Sequence, residues 1–146
     1  MKVEPTRRLD AQDHRSLALW AADCAEHVLP YFEGDYPEDD RPRQAIEAGR
    51  AWARGEIRCG EARAAAVAAH AAARAAGEGA ARAAARAAGH AAATAHMAGH
   101  ARHAAAYALK AATASAAGTA SATEHDWQCR RLPQHLRPAA FPVRGK

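Results

Sequence analysis

The chain is 146 residues long, the size of one folded domain, and 46 of its residues are alanine. This composition excludes a β-sheet protein, because alanine is depleted in strands and the β-branched residues that fill strands are scarce here. The formal net charge is +4, from 20 lysines and arginines against 16 carboxylates, and the arginines follow helical spacing rather than runs, so we do not expect a nucleic-acid partner.

The first predicted helix covers about residues 13–29. Apolar side chains recur there at three- and four-residue steps, at Leu17, Trp20, Cys24 and Val28. This spacing is typical of a helix with one buried face. Pro30 is expected to end the helix or to offset its last turn.

A second helix is predicted after an acidic and aromatic connection. Asp39 and Asp40 precede Pro42, which places negative charge at the positive end of the helix dipole and proline in the first turn. Gly55 is expected to close this helix. Its predicted buried face consists of Ala45, Ile46, Gly49, Trp52 and Ala53.

Residues 61–123 hold 35 of the alanines and predict three further helices. Each predicted helix starts near an arginine and ends near a glycine: Arg63 to Gly77, Arg82 to Gly99, and Arg102 to Gly118. A last short helix is predicted from a capping signal at Thr123 and Asp126 to about Arg131.

The sequence therefore predicts an all-α protein, a compact bundle of five or six helices with close-packed alanine-rich central helices. The bulky side chains of the two ends are expected to complete its core. We expect one domain over residues 13–141, with flexible ends at residues 1–12 and 142–146.

The compartment is predicted from charge spacing and cysteines. The longest stretch without a charged residue, residues 87–101, is too short to span a membrane, and the start lacks the apolar core of a secretion signal. Cys24, Cys59 and Cys129 are odd in number and lie in no zinc-binding spacing. A cytoplasmic protein with free thiols is expected.

Histidines are the most unusual polar feature of the alanine-rich segment. Four of the nine lie within fourteen residues, at His90, His96, His100 and His103. If one helix continues through Gly99, then His96, His100, His103 and Tyr107 share a face, and His96 and His100 could bind one divalent metal. The alternative is a set of partly buried, hydrogen-bonded histidines. No cofactor is predicted.

Two further pairs are candidates for ligand or partner binding. Asp23 and His27 are four residues apart beside Trp20, so the carboxylate could orient the imidazole as a general base, or the two could form a surface ion pair. His70 and Arg74 could line a pocket for an anionic group if their helix face is buried, or could be solvated.

The acidic connection, residues 33–40, contains five carboxylates. They lack the order of a calcium-binding loop, and helix capping accounts for Asp39 and Asp40. These two residues are also candidates for partner binding.

Three segments carry a resemblance to a known family: LWAADCAEHVLP, DDRPRQAIEAGRAWARGE and RRLPQHLRP. They are similar to the actinobacterial family of Imm5-like putative immunity proteins, and the resemblance extends over about residues 13–141. It implies a small, all-helical cytoplasmic protein that binds and neutralises a toxin. It implies no catalytic residues.

Two functions are weighed. The leading hypothesis is an immunity-type protein that binds a protein toxin through its first two helices and acidic connection. The alternative is a small-ligand or metal-binding bundle with a pocket lined by Trp20, Asp23, His27, His70, Arg74, His96, His100 and Tyr107. No catalytic motif is found, no membrane partner is expected, and a homo-oligomer remains open.

Overall fold

The computed structural model describes residues 9–115 and 120–141. In these two ranges the chain forms helices and no strand. The helices are α1 (Ala11–Val28), α2 (Pro30–Glu33), α3 (Arg41–Ala53), α4 (Cys59–Ala75), α5 (Ala80–Ala93), α6 (His100–Ser115), α7 (Ala120–Arg130) and α8 (Arg137–Ala140). A 3-10 turn, Gln134–Leu136, precedes α8. None of these described helices is both long and apolar enough to cross a bilayer.

The all-α class is confirmed, but the predicted number of five or six helices is too low. Two single-turn helices, α2 and α8, were not predicted, and each has a proline in its first turn. Proline favours such short helices, because its fixed φ suits the first turn, where no N–H is needed.

Helix α1 begins two residues before its predicted start. Asp10 and Asp13 form a reciprocal cap in which each side chain accepts a hydrogen bond from the other's backbone N–H, at 2.8 Å to Asp10 and 3.3 Å to Asp13. The predicted apolar face of α1 is buried throughout, including Leu17, Trp20 and Val28.

Helix α5 lies at the centre of the fold, where it packs against α1, α2, α3, α4 and α6. Nine of its fourteen residues are buried, and these are eight alanines and Gly89. Small side chains allow neighbouring helix axes to approach closely, so one helix can be covered by five others.

The bulky part of the core comes from the two ends of the chain, as predicted. The first sixty residues contribute Leu17, Trp20, Val28, Leu29, Phe32 and Ile46, and the last segment contributes Leu132 and Leu136. Trp52, which was predicted to be buried, is only half-buried, and its ring centroid lies 4.6 Å from that of His14.

The predicted continuation of the central helix to Gly99 is wrong, because α5 ends at Ala93. The Thr94 carbonyl binds His14 Nε2 at 2.6 Å, and the Thr94 hydroxyl donates to the His90 carbonyl at 2.9 Å. The following turns tighten to bonds between residues three apart. The helix therefore stops where a side chain of α1 occupies a carbonyl that a further turn would need.

The predicted cap at Thr123 is also wrong, since this residue lies inside α7. Gly118, which was predicted to close the third alanine-rich helix, lies outside the described residues. So do most of the predicted flexible N-terminus, residues 1–8, and the predicted flexible C-terminus, residues 142–146.

Gly49 sets the distance between α3 and α5. A Cβ atom at this position would lie 3.1 Å from the Ala91 carbonyl oxygen and 3.6 Å from the Ala92 Cα. Both are backbone atoms of the central helix, so a larger side chain would push the two helices apart.

We expect Gly49→Val to lower the free energy of unfolding by about 1–3 kcal/mol, because its methyl groups would overpack the contact with α5. Urea denaturation measures this change. Gly60→Val is the matched control, since α4 leaves open space around Gly60, and its effect should stay within about 0.5 kcal/mol. Equal losses in both variants would contradict this account of the α3–α5 contact.

Candidate functional site

Three of the predicted candidates on α1 contact α7 or Arg131, the residue that follows it. We call this region the α1–α7 site, and it is formed by Trp20, Asp23, His27, Glu124, Trp127, Gln128 and Arg131. Trp20 Nε1 donates to the Gln128 carbonyl at 2.9 Å. The Gln128 amide donates to Glu124 Oε2 at 3.1 Å and to the Ala105 carbonyl at 2.9 Å. Gln128 thus joins α7 to α1 through its backbone carbonyl and to α6 through its buried side-chain amide.

Glu124 links this buried network to the surface. Its side chain is 4% exposed, and Oε1 lies 2.8 Å from Nδ1 of His27, whose side chain is 40% exposed. A carboxylate at this distance favours the proton on Nδ1. His27 is therefore oriented by a buried acid, while its Nε2 has no hydrogen-bond partner among the described residues.

An aromatic and cationic stack covers His27. Its ring lies parallel to that of Trp127, with centroids 3.7 Å apart and an angle of 7°. The Arg131 guanidinium lies 4.8 Å from the Trp127 ring centroid, and Arg131 is also 3.6 Å from Asp23. This stack presents tryptophan, arginine and histidine, and the first two are common at the centres of protein interfaces.

Asp23 belongs to an ion-pair network between α1 and α3, not to a pair with His27. Arg50 bonds Asp23 at 2.9 Å and Glu26 at 2.7 Å. Hydrogen bonding from Arg50 lowers the pKa of Glu26. The predicted Asp23–His27 pair does not form. Arg50 of α3 binds Asp23, and Glu124 of α7 binds His27.

The acidic connection holds two kinds of carboxylate. Asp39 bonds Arg41 at 2.7 Å, and this bond lowers the pKa of Asp39. Asp40 accepts only a longer bond from Gln44, at 3.3 Å. Asp35 and Glu38 are exposed and form no ion pair within the described part of the chain.

The ion-pair network of Arg50 and the acidic connection lie in one strongly acidic segment of the chain. Residues 23–50 carry eight carboxylates against three arginines, a net charge of −5, in a chain whose total is +4. The segment runs through the second half of α1, α2, the acidic connection and α3. We call this region the acidic corner.

A second polar group, the histidine cluster, lies between α4, α5 and α6. It consists of His70, His90, His100, His103 and Tyr107, and the His90 ring centroid lies 5.0 to 5.3 Å from each of the other four. Nδ1 of His90 and Nδ1 of His100 are 3.0 Å apart, so one ring donates and the other accepts. Arg86 donates to Nδ1 of His70 at 3.1 Å.

Three histidines of the cluster, His70, His90 and His100, favour the neutral form. Burial lowers the pKa of His70 and His100, and burial together with the neighbouring charges lowers the pKa of His90 to about 3. Gly89 makes room for it, because a Cβ there would lie 2.6 Å from the His70 ring. The cluster is thus a hydrogen-bonded part of the packing.

His96 and His100, the predicted metal pair, do not lie on one continuous helix as the prediction required. His100 begins α6, whereas His96 is exposed in the connection after α5, so the two do not share a continuous helix. No three His, Cys, Asp or Glu side chains in residues 9–115 and 120–141 are arranged to hold a metal ion.

The single pocket proposed for the alternative function is not formed. Trp20 and His27 belong to the α1–α7 site, whereas His70 and Tyr107 belong to the histidine cluster. Arg74 is exposed on α4.

Sequence reasoning missed the α7 half of the α1–α7 site. Glu124 and Gln128 are four residues apart, and this spacing could have indicated a polar helix face. Nothing in the sequence indicated that this face would be buried against α1 and α6.

Together these features define a small all-helical protein with an acidic corner beside a hydrogen-bonded aromatic surface. Its sequence matches the family described as Imm-5 like putative immunity protein over residues 7–135. The match covers most of the chain, so the chain belongs to this family. No curated protein and no solved structure gives a match.

We expect Glu124→Ala to lower the free energy of unfolding by about 1–3 kcal/mol, because the Gln128 amide loses one of its two acceptors and His27 loses its carboxylate partner. Chemical denaturation measures the change. Asp126→Ala on the same helix is the control, since Asp126 is exposed. A Glu124→Ala variant as stable as the control would contradict the structural role of the Glu124 network.

The histidine cluster predicts a loss of stability in mild acid. The lowered pKa values mean that the unfolded chain takes up protons below about pH 6.5, whereas folded His90 stays neutral to about pH 3. The free energy of unfolding should therefore decline from pH 6.5 to 5, before most carboxylates titrate. Each of the three histidines should contribute less than the roughly 1.4 kcal/mol per pH unit of a fully buried group, because each is only partly buried.

Urea denaturation across this pH range tests the assignment. His90→Gln should flatten the decline, whereas His96→Gln, which removes an exposed histidine, should leave most of it. An unchanged slope in His90→Gln would show that His90 is not its source.

Proposed function

We propose that this protein neutralises a protein toxin by binding it non-covalently through the acidic corner, residues 23–50, and the adjoining His27–Trp127 stack. Membership of an immunity-protein family supports a toxin as the partner. The observation that carries the choice of surface is the net charge of −5 concentrated in residues 23–50 of a basic chain.

Separated charge of this kind favours a partner with a basic surface. Opposite potentials speed the encounter of two proteins and disfavour partners of the wrong charge. Asp35 and Glu38 are exposed without ion pairs in the described residues, so their charge remains available to a partner. The arginine bonds to Glu26, Glu33 and Asp39 hold the surrounding side chains in place.

Exposed aromatic side chains supply apolar contacts beside the charges. Tyr31, on α2, is 38% exposed, and Trp127 is half-buried against His27. Aromatic side chains of this kind carry much of the binding energy at protein interfaces. The acidic corner would then direct the encounter, and the aromatic groups would strengthen the complex.

A binding role is favoured over catalysis, because the thiol beside His27 in sequence is not set up to act as a nucleophile. Cys24, the thiol nearest to His27 in sequence, is buried, and burial raises its pKa, which makes it a poor nucleophile. The three cysteines are free, as expected of a protein that acts in the reducing environment of the cytoplasm.

The acidic corner predicts how charge changes affect toxin binding. Asp35→Asn combined with Glu38→Gln should weaken binding to the partner toxin, sought among the products of neighbouring genes, about tenfold, mainly by slowing association. The loss should shrink at high salt, because salt screens exposed charges. Surface plasmon resonance measures both effects, and survival of toxin-expressing cells measures protection.

The matched control is Glu56→Lys, which raises the net charge by the same two units. Glu56 follows the C-terminal end of α3, whereas the acidic connection precedes the N-terminal end. The length of the helix separates the two by about 20 Å. Its variant should bind and protect like the original protein. Failure of the unaltered protein to bind or protect, or equal losses in both variants, would refute the proposal.

A further inference from the structure

A groove between α5 and α6 gathers positive charge. It has a volume of about 370 Å³ and is lined by Glu78, Gly79, Arg82, Arg86, Tyr107 and Lys110. This volume lies within the range of sites that hold small molecules. The lining carries three cations and one carboxylate, and its net charge of +2 contrasts with the acidic corner.

The cations of this groove have no carboxylate partner among the described residues, unlike the arginines of the acidic corner. Arg41, Arg43 and Arg50 of the acidic corner each bond a carboxylate. Arg82, Arg86 and Lys110 form no ion pair within residues 9–115 and 120–141. Their charge is therefore left for a ligand or for solvent ions.

Two of the cations are held in position before any ligand arrives. Arg86 donates one hydrogen bond to Nδ1 of His70 at 3.1 Å. Arg82 donates to the carbonyl oxygens of Ala73 and Ala76 at 3.2 and 3.0 Å. A guanidinium has five N–H donors, so both retain donors for a ligand. Side chains that are already ordered lose less entropy on binding.

The positive charge of the groove does not depend on the histidine cluster beside it. Arg86 can only donate, so Nδ1 of His70 must accept, and the ring is neutral. Burial also lowers the pKa of His70. Arginine and lysine remain charged at neutral pH, so the attraction for an anion persists there.

We infer that this groove binds a small tetrahedral dianion, a sulfate or phosphate group, held by Arg82, Arg86 and Lys110. A guanidinium matches such a group because its planar fork donates two parallel hydrogen bonds. The charge of the lining balances that of a dianion. The anion is either free in solution or part of a small phosphorylated compound, and this site does not depend on toxin binding.

Titrations with sulfate, inorganic phosphate and glucose 6-phosphate test the site, with ionic strength kept constant by sodium chloride. The backbone amide resonances of Gly79 and Ala83, which line the groove, report binding by nuclear magnetic resonance. We expect saturable shifts, and for sulfate the same affinity at pH 7.0 and 8.5, roughly, since arginine carries the charge. Tighter binding of glucose 6-phosphate would assign a phosphorylated compound, and equal affinities would assign the free anion.

Lys110→Gln should weaken sulfate binding about tenfold or more, since it removes one of three cations. Lys110 is exposed, so this variant should fold even if Arg86→Gln, which also breaks the bond to His70, does not. Arg102→Gln on the same helix is the control and should bind like the original protein. Shifts that do not saturate, or equal affinities of the Lys110 and Arg102 variants, would overturn the inference.

Discussion

The structure depends on how closely other helices can approach α5. Its buried face consists of alanine and one glycine, so α3 comes close enough that a Cβ at Gly49 would lie 3.1 Å from the Ala91 carbonyl oxygen. An interior of this kind gains its stability from many close contacts between small groups rather than from a few large side chains. The two ends of the chain then cover the central helices with leucine, tryptophan and phenylalanine.

Close approach also explains where the polar side chains lie. The space beside Gly89 is occupied by the His70 ring, which packs around His90 together with His100 and His103. Alanine-rich neighbours leave room for such rings, and the partly buried ones, His70, His90 and His100, are hydrogen-bonded and favour the neutral form. In the described residues every buried side-chain nitrogen and oxygen has a partner.

Charge is divided between two parts of the fold. In the acidic corner all three arginines bond carboxylates and orient them, whereas the groove between α5 and α6 has arginines anchored by neutral groups instead. An acidic surface suited to a basic protein can therefore exist on a chain with positive net charge. The net charge alone says little about the partner, because a partner meets one surface at a time.

The amphipathic helices could be predicted because their pattern is local. The faces of α1 and α3 follow from residue spacing, and Asp40 with Pro42 marks the start of α3. The end of α5 could not be predicted, because it depends on His14, which is 80 residues away. His96 is separated from the rest of the predicted stripe for the same reason, whereas His100, His103 and Tyr107 share α6.

The candidate residues divide in the same way. Asp23 and His27 could be singled out from their spacing, but their partners, Arg50 and Glu124, come from other helices. By itself the sequence determined the helical class, the small-residue core, the acidic segment and the family, because these depend on composition and local pattern. Only the tertiary structure decided which histidines are partly buried, which carboxylates stay unpaired and which cations meet in one groove, because those properties depend on contacts between helices distant in sequence.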